Sequence, residues 1–319
     1  MNGKKSTLNP LKNETHKEND SMHDLATTPK IDSSLLPTED EIIAFKENGW
    51  YISRPLFSEE EASKVLHATD RFYKGHLDRT NLPAAMEDYH INYDFPELGI
   101  RKSDYASFYI PALYQLLHKP ILAAIAAHLV QTPAIRLWHD QLLWKDPQSP
   151  GIQANVGWHT DRGYWQACSS DNMITAWIPF HDCNEKTGTI TMIDGSHQWP
   201  DDNDKALNFF ENDLDSLEKK MVTGGKRINK VPMDLKLGQV SFHHCRLIHG
   251  SGPNNSEQPR RSVALHLQDQ SNTYRRYINP QTGHLANHNN VEFCKQDEQG
   301  QPDFSDPSIC PVLWNKLEP

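Results

Sequence analysis

The spacing of apolar and polar residues along the chain changes character at Pro133. Upstream of it, apolar residues recur at intervals of three and four, which is typical of helices that bury one face. Thr38 to Glu41 and Ser58 to Glu61 have the capping-box form that opens a helix, and a third helical run covers 112–130. The first part of the chain is therefore predicted to be mainly helical.

Downstream of Pro133 the apolar residues form short alternating runs, separated by clusters of Gly, Pro, Asn and Asp. The predicted strands cover 134–144, 153–158, 173–180, 188–193, 239–248 and 261–268. Such a series is typical of an antiparallel sandwich or barrel. An acidic segment within 200–230 interrupts it and is predicted to be an insertion. The fold class is thus predicted to be mainly β with flanking helices.

One domain preceded by a polar leader is expected. Residues 1–37 are mostly polar and contain no Phe, Trp or Tyr, so they cannot bury enough apolar area to offset the entropy of ordering. We predict that this leader is disordered. The domain would then run over 38–319, with a helical part at 38–133, a β core at 134–270 and a C-terminal extension at 271–319.

The charge balance limits the classes of partner. The 319 residues include 32 Lys and Arg against 42 Asp and Glu, which gives a net charge of −10. Nucleic-acid backbones and anionic membranes attract a positive field, so neither is expected as a partner. The longest apolar run, 121–130, is about half of what a bilayer requires. The five cysteines are scattered without a disulfide or zinc pattern, and a cytoplasmic location is expected.

A candidate metal site lies in the sequence Gly157-Trp-His159-Thr-Asp161. Residues i and i+2 of a strand point to the same face, so His159 and Asp161 could present an imidazole and a carboxylate to one ion. A distant histidine would complete two His and one carboxylate, the set that suits non-haem Fe(II) with open positions. His76 and Asp78 repeat the spacing, but they follow Gly75 at a predicted helix end, where the two side chains would diverge.

The distant histidine is expected at His249, which precedes a glycine-rich turn. Arg260 follows eleven residues later and shares a strand face with Ser262, while Val263 and Leu265 occupy the apolar face. An arginine fork beside a hydroxyl suits a carboxylate held by two hydrogen bonds.

Neighbouring residues offer alternatives to both of these candidates. His243 and His244 also lie near the predicted strand end, but only His249 has the glycine turn and the separation from Arg260. Arg261 shares parity with the apolar face, which would aim it away from the metal.

The chain resembles the phytanoyl-CoA dioxygenase family of Fe(II)/2-oxoglutarate oxygenases. The resemblance covers about Thr38 to Gln268 and rests on several ordered motifs, among them "EIIAFKENGWYISRPLFSEEEASKV", "LWHDQLLWKDP", "GWHTDRGYW", "TAWIPFHDCNEKTGTITMIDGSHQWP" and "IHGSGPNNSEQPRRSVALH". It implies a double-stranded β-helix, a jelly-roll core similar to that of cupins. It also implies Fe(II) as cofactor, with 2-oxoglutarate and O₂ as co-substrates and succinate and CO₂ as products.

The resemblance also implies roles for individual residues. His159, Asp161 and His249 match the iron ligands, and Arg260 matches the arginine that binds the 5-carboxylate of 2-oxoglutarate. Ser262 would assist Arg260, and Gln141 matches a position that contacts the co-substrate in some members, with an ordinary polar strand residue as the alternative. The turn at 195–197 is taken as structural. Because related halogenases have a small residue in place of Asp161, the carboxylate favours hydroxylation.

Substrate recognition is less well defined by the sequence. Arg162, Tyr164 and Trp165 lie in a polar stretch predicted to form a mobile rim over the iron, and Trp177 could stack on a substrate, although packing and solvent exposure are the alternative. The region 79–102 is a second candidate for specificity. A small metabolite or natural-product intermediate is the expected substrate. A fatty acyl-CoA, a cupin-like metal enzyme and a non-catalytic binding protein are the alternatives.

Overall fold

The structure is a computed structural model that describes residues 31–91, 99–149, 154–200, 208–211, 213–223, 225–280 and 282–316. Most of the predicted leader, 1–30, lies outside the described residues, as do parts of the predicted insertion and of the 79–102 region. At 31–37 the chain forms a short 3-10 turn, Ser33–Leu35, capped by Asp32, and Leu36 packs against the hydrophobic core.

The predicted N-terminal helices are confirmed. Helix α1 covers Glu39–Asn48 and α2 covers Glu59–Phe72, and each begins with a complete capping box. Gly49 ends α1 at a φ of +83°, a left-handed conformation that glycine adopts without a steric penalty.

The third predicted helix is two helices, α3 at Pro111–Leu117 and α4 at Pro120–Val130. A proline cannot donate to the preceding turn, and it forces the residue before it out of the helical region, so Pro120 starts a new helix. By length and composition, Pro111–Val130 could cross a membrane, but 67% of its most apolar window is buried inside the protein. Helix α4 packs against the sheet, so the pair is part of the core.

The described strands form two antiparallel sheets. The larger sheet contains β1 (Trp50–Ile52), β2 (Ile100–Asp104), β3 (Ala134–Lys145), β5 (Ile174–Pro179), β8 (Ser241–His244), β10 (Arg260–Asp269) and β11 (Val312–Asn315). The smaller contains β4 (Val156–His159), β6 (Thr191–Ile193), β7 (Lys230–Pro232) and β9 (His249–Ser251). The remaining helices are α5 (Asp161–Tyr164), α6 (Leu214–Thr223) and α7 (Asn289–Phe293). Antiparallel sheets with flanking helices confirm the predicted fold class.

One strand boundary differs from the prediction. Of the strand predicted over 239–248 only β8 forms, because the chain turns after His244 and enters β9 of the other sheet at His249. The amide of Leu247 closes that turn on the carbonyl of His244. Within the predicted C-terminal extension, β11 pairs with β3 and so belongs to the larger sheet.

One face of the larger sheet is apolar and the other is polar, as alternate residues of β10 show. Val263, Leu265 and Leu267 belong to the main hydrophobic core together with the helices. The opposite face, which carries Arg260 and His266, turns toward the smaller sheet. A pocket lies between the two sheets, and the polar side chains of both sheets converge on it.

Candidate metal centre

The structure brings the three predicted ligands together. Ligand atoms of His159, Asp161 and His249 lie within 4.8 Å of one another, and all three residues are buried. His159 and His249 are direct partners across β4 and β9, with ring centroids 4.2 Å apart. Asp161 is not on the strand, as the parity argument assumed, but begins α5. Thr160 caps that short helix, and this turn directs the carboxylate toward the imidazoles.

Both histidines have a defined orientation. Nδ1 of His159 lies 2.8 Å from the carbonyl of Gly157, and Nδ1 of His249 lies 2.9 Å from the carbonyl of Leu247. A carbonyl only accepts, so each Nδ1 carries the proton and each Nε2 keeps its lone pair for a metal. Burial lowers the pKa of both imidazoles, which favours the neutral form that ligates metals.

Asp161 is held by residues on the larger sheet. Thr175 donates its hydroxyl to Oδ2 at 2.5 Å, and Nε2 of His243 donates to the same oxygen at 3.2 Å. Oδ1 faces Nε2 of His249 at 3.7 Å and is the oxygen available to an ion. Burial would raise the pKa of Asp161, but the neighbouring imidazoles, His249 first, hold it well below its usual range.

The contacts of Asp161 bear on the alternative that His243, and not His249, is the distant histidine. They also involve residues that the sequence analysis did not single out. His243 donates to the carboxylate of the candidate ligand Asp161, and it lies outside the group of three candidate ligands. His266 donates from Nδ1 to the hydroxyl of Thr175 at 2.8 Å, which leaves the threonine proton for Asp161. The parity of β10 could have identified His266, because it lies six residues after Arg260 on the same face.

A pocket extends from the candidate ligands between the two sheets and opens to solvent; its empty volume, with the open part included, is about 430 Å³. Arg260 lines it, is almost fully buried, and donates from Nη1 to the carbonyl of Gly188 at 3.1 Å, while its Nε has no protein partner. The guanidinium lies 5.3 Å from the ring centre of Trp177, which also lines the pocket. Burial lowers the pKa of Arg260 to about 10, so the group remains charged at neutral pH. Arg261 points the other way and binds Asp70 at 2.5 Å.

The other predicted co-substrate residues lie on the pocket face of the larger sheet. Gln141 lines the pocket. Ser262 is fully buried on the same strand face as Arg260, and its hydroxyl has no protein partner. The turn at 195–197 supports the fold, as expected: the Ser196 hydroxyl accepts a hydrogen bond from the amide of Ile248, the residue just before β9.

The predicted rim residues have different environments. The guanidinium of Arg162 is buried and bonded to Asp171 and to the carbonyls of Trp165 and Cys168, so it holds the loop together. Trp165 is buried with its ring centre 4.9 Å from that of His266. Tyr164 is 47% exposed, and its hydroxyl accepts from the amide of Phe209 at 2.9 Å.

Part of the insertion forms a wall of the pocket, which the sequence did not indicate. Segment 208–211 crosses β4, where the amide of Gly157 donates to the carbonyl of Phe209 at 2.9 Å. The Phe209 ring centre lies 5.0 Å from that of His159. A Cβ at position 157 would stand 1.9 Å from the carbonyl oxygen of Asn208, so this close crossing requires glycine.

Comparison with known proteins agrees with this geometry. The family model described as phytanoyl-CoA dioxygenase (PhyH) matches residues 45–262, more than half of the chain. The chain belongs to this family. A probable alpha-ketoglutarate-dependent hypophosphite dioxygenase of Stutzerimonas stutzeri is 24% identical over 69% of this chain and 75% of its own. The ectoine dioxygenase of Bordetella bronchiseptica is also 24% identical, over 77% and 81% of the two chains.

Solved structures share the fold. EctD from S. alaskensis, determined with 2-oxoglutarate and 5-hydroxyectoine, superimposes with a TM-score of 0.59 at 19% identity, over 80% of this chain and 84% of that one. An alpha-ketoglutarate-dependent carbocyclase from nogalamycin biosynthesis gives a TM-score of 0.58 at 20% identity, over 75% and 87%. These similarities confirm the predicted jelly-roll class.

Proposed function

We propose that this protein is a non-haem Fe(II)/2-oxoglutarate-dependent dioxygenase that hydroxylates an unactivated C–H bond of a small metabolite or natural-product intermediate, with release of succinate and CO₂. The observation that carries the proposal is the buried His159–Asp161–His249 cluster, which faces a pocket lined by Arg260, a cation with no carboxylate partner among the described residues. Membership of the phytanoyl-CoA dioxygenase family and the 2-oxoglutarate dependence named for its relatives support it.

The residues present fit both groups. The candidate ligand atoms of the three residues lie within 4.8 Å of one another, so they would supply one face of three ligands and leave the other positions for exchangeable groups. The unpartnered Nε of Arg260 and the unpartnered hydroxyl of Ser262 are donors for a carboxylate on the pocket face. When bound, the iron and 2-oxoglutarate would supply the O₂ chemistry that breaks the C–H bond.

The protein supplies orientation and limits the access of water. Thr175 and His243 fix the carboxylate of Asp161, and the ring of Trp177 lies beside the guanidinium of Arg260 at the pocket wall. Phe209 covers His159, and Tyr164 ties that phenylalanine to the loop after the metal ligands. A carboxylate at position 161 fills the metal position that related halogenases leave for chloride, so hydroxylation is the proposed outcome.

The charge of the protein and the substrates of its relatives favour a small substrate. The pocket beside the candidate ligands must hold the 2-oxo acid as well as the reacting part of the substrate. The nucleotide of an acyl-CoA would have to bind outside this space, and the acidic chain has no dense basic patch for its phosphates. The substrates named for two relatives, ectoine and hypophosphite, are also small. An acyl-CoA hydroxylase is therefore the second candidate.

Anaerobic titration with Fe(II) and 2-oxoglutarate tests the proposal directly. The wild-type protein should develop a visible metal-to-ligand charge-transfer band, and His249→Ala should abolish it. His76→Ala is the matched control, because it removes a histidine from the second H-x-D sequence, whose Asp78 binds Thr80 instead. Persistence of the band in His249→Ala would contradict the assignment.

Substrate identity and the competing functions require a second assay. A metabolite panel scored by succinate release should reveal a substrate-dependent reaction. Full activity of Arg260→Ala without 2-oxoglutarate would instead indicate a cupin-like metal enzyme. Absence of 2-oxoglutarate turnover across a broad panel would favour a non-catalytic binding protein.

A further inference from the structure

His266, on β10, lines the pocket and has one ring nitrogen without a partner. The residue is 3% exposed, and its Nδ1 lies 2.8 Å from the hydroxyl of Thr175. Its Nε2 is buried and has no hydrogen-bond partner in the described part of the chain. A buried polar atom without a partner destabilises a folded protein. At the wall of a pocket, such an atom indicates that a ligand supplies the partner.

The contacts of Thr175 determine what kind of partner Nε2 requires. The threonine hydroxyl has one proton and donates it to the carboxylate of Asp161 at 2.5 Å. Nδ1 of His266 must therefore donate to the threonine oxygen, so Nδ1 carries the proton of the neutral ring. Nε2 then has a lone pair and needs a donor. A proton on Nε2 as well would place a charged donor in the interior without an acceptor, at a higher cost.

The neighbouring rings and the co-substrate do not supply this donor. The ring of His139 lies 4.4 Å from that of His266 at 31°. An imidazole N–H lies in the plane of its ring, so these nearly parallel rings do not hydrogen-bond to each other. Trp165 packs against the same imidazole with its ring centre 4.9 Å away, and the two contacts hold the ring in place. 2-Oxoglutarate, as a dianion, has only acceptors. The donor must therefore come from a substrate or from water.

We propose that His266 is a specificity-determining residue whose Nε2 accepts a hydrogen bond from an O–H or N–H group of the substrate. The inference rests on the proposed function and narrows its substrate class to small metabolites with a hydroxyl or an amine near the reacting carbon. Nδ1 of His266 lies 3.8 Å from Oδ2 of Asp161, so the donor would bind beside the candidate metal ligands. A substrate analogue without the donor would leave the buried acceptor unpaired, which a site of this kind rejects strongly.

Two amide variants separate the roles of the two ring nitrogens. In His266→Asn the side-chain amide occupies about the place of Nδ1 and can donate to Thr175, but the acceptor at Nε2 is lost. In His266→Gln the amide oxygen reaches about the place of Nε2 and keeps the acceptor, while the contact with Thr175 is lost. His128→Asn is the control, because Nδ1 of His128 binds the carbonyl of Ala124 within α4.

The assay is succinate release from a panel of matched pairs of compounds. One arm pairs alcohols with their deoxy counterparts, and the other pairs primary amines with counterparts in which a methyl group replaces the amine. The wild-type protein should prefer the donor-bearing member by about ten- to hundredfold in kcat/KM, as expected when a buried acceptor is left unpaired. His266→Asn should lose this preference, whereas His266→Gln and His128→Asn should keep it. The arm that shows the preference identifies the donor.

Nitrogen NMR of the Zn(II)-loaded, full-length protein tests the tautomer without a substrate or a variant. The imidazole signals of His266, assigned through the contact of that ring with Trp165, should show a protonated Nδ1 and an unprotonated Nε2 at neutral pH. A proton on Nε2 would overturn the proposal. Equal kcat/KM values within the pairs, or a preference that survives in His266→Asn, would also overturn it. Failure of the wild-type protein to bind 2-oxoglutarate, or to release succinate with any compound, would instead contradict the proposed function.

Discussion

Replacing Thr175 by valine should weaken metal binding although Thr175 is not a ligand. The substitution keeps the shape of the side chain and removes the hydroxyl that donates to Oδ2 of Asp161 at 2.5 Å. It also leaves Nδ1 of the buried His266 without its partner at 2.8 Å. A hydrogen bond to a charged group contributes about 1.5–3 kcal/mol, and loss of an outer partner of a metal ligand costs about 10–100-fold in affinity. We expect a loss in that range.

The assay is competition for Zn(II) or Co(II) against a chelator of known affinity, combined with thermal unfolding of the metal-free protein. Thr189→Val is the matched control, because Thr189 is equally buried and donates its hydroxyl to the carbonyl of Met233 at 2.7 Å, away from the ligands. Both variants should lose about 1–3 kcal/mol of folding free energy, since each leaves a buried partner unsatisfied. Only Thr175→Val should lose metal affinity. Equal affinities in the wild type and Thr175→Val, or equal losses in both variants, would refute the role given to Thr175.

The insertion, a buried serine and the buried histidines give further tests. Gly157→Ala should force segment 208–211 away from β4, and hydrogen exchange of the amides in that segment should become faster. Gly252→Ala is the control, because a Cβ at position 252 meets nothing within 4 Å. Unchanged exchange in Gly157→Ala would contradict the close packing of segment 208–211 on Gly157. Ser262→Ala and Ser241→Ala each remove a buried hydroxyl without a protein partner, so both should stabilise the metal-free protein by about 1 kcal/mol, but only Ser262→Ala should weaken 2-oxoglutarate binding if Ser262 assists Arg260. The metal-free protein should also lose stability below about pH 6.5, because the unfolded chain takes up protons that the folded chain excludes; a histidine that stays neutral in the folded protein contributes about 1 kcal/mol between pH 6.5 and 5.5. The histidines of lowered pKa include the buried His139, His159, His249 and His266 and the partly buried His244 and His288. Burial raises the pKa of Asp140 to about 7, so its protonation stabilises the folded protein as the pH falls and acts against the effect of the histidines. The measurement is the free energy of unfolding from pH 5 to 8, and an increase toward acidic pH would contradict this prediction.

Features that depend on local chemistry were predictable from the sequence. The two capping boxes placed α1 and α2, because side chains three residues apart satisfy the free amides of a helix start. Strand parity correctly separated Arg260 from Arg261, since neighbouring residues of β10 face opposite sides of the sheet. The same rule expected Asp161 beside His159, where the structure has it, but the reason was wrong, because a helical turn, and not a strand, directs its carboxylate.

Features that depend on long-range pairing were not predictable. Thr175 lies in an otherwise apolar strand, and nothing in its neighbours shows that β5 places it opposite His266 and beside Asp161. The crossing of 208–211 over Gly157 depends on contacts between segments about 50 residues apart. In both cases the contact joins residues that are distant in sequence, so a local sequence pattern could not predict it.

The buried polar residues on the pocket face of the larger sheet include some that the sequence analysis did not connect with the candidate site. On β10 the apolar face carries Val263, Leu265 and Leu267, while Arg260 and His266 lie on a face that is equally buried. Adjacent β3 repeats the arrangement, with Gln141 and Lys145 on the same side. Apolar side chains would stabilise this interior more than unneutralised polar ones, since buried polar groups without partners are destabilising. These destabilising polar residues lie where the two sheets enclose the three candidate metal ligands and a cationic pocket. We therefore explain the polar face by the proposed binding of a metal and an anion, and not by the stability of the fold.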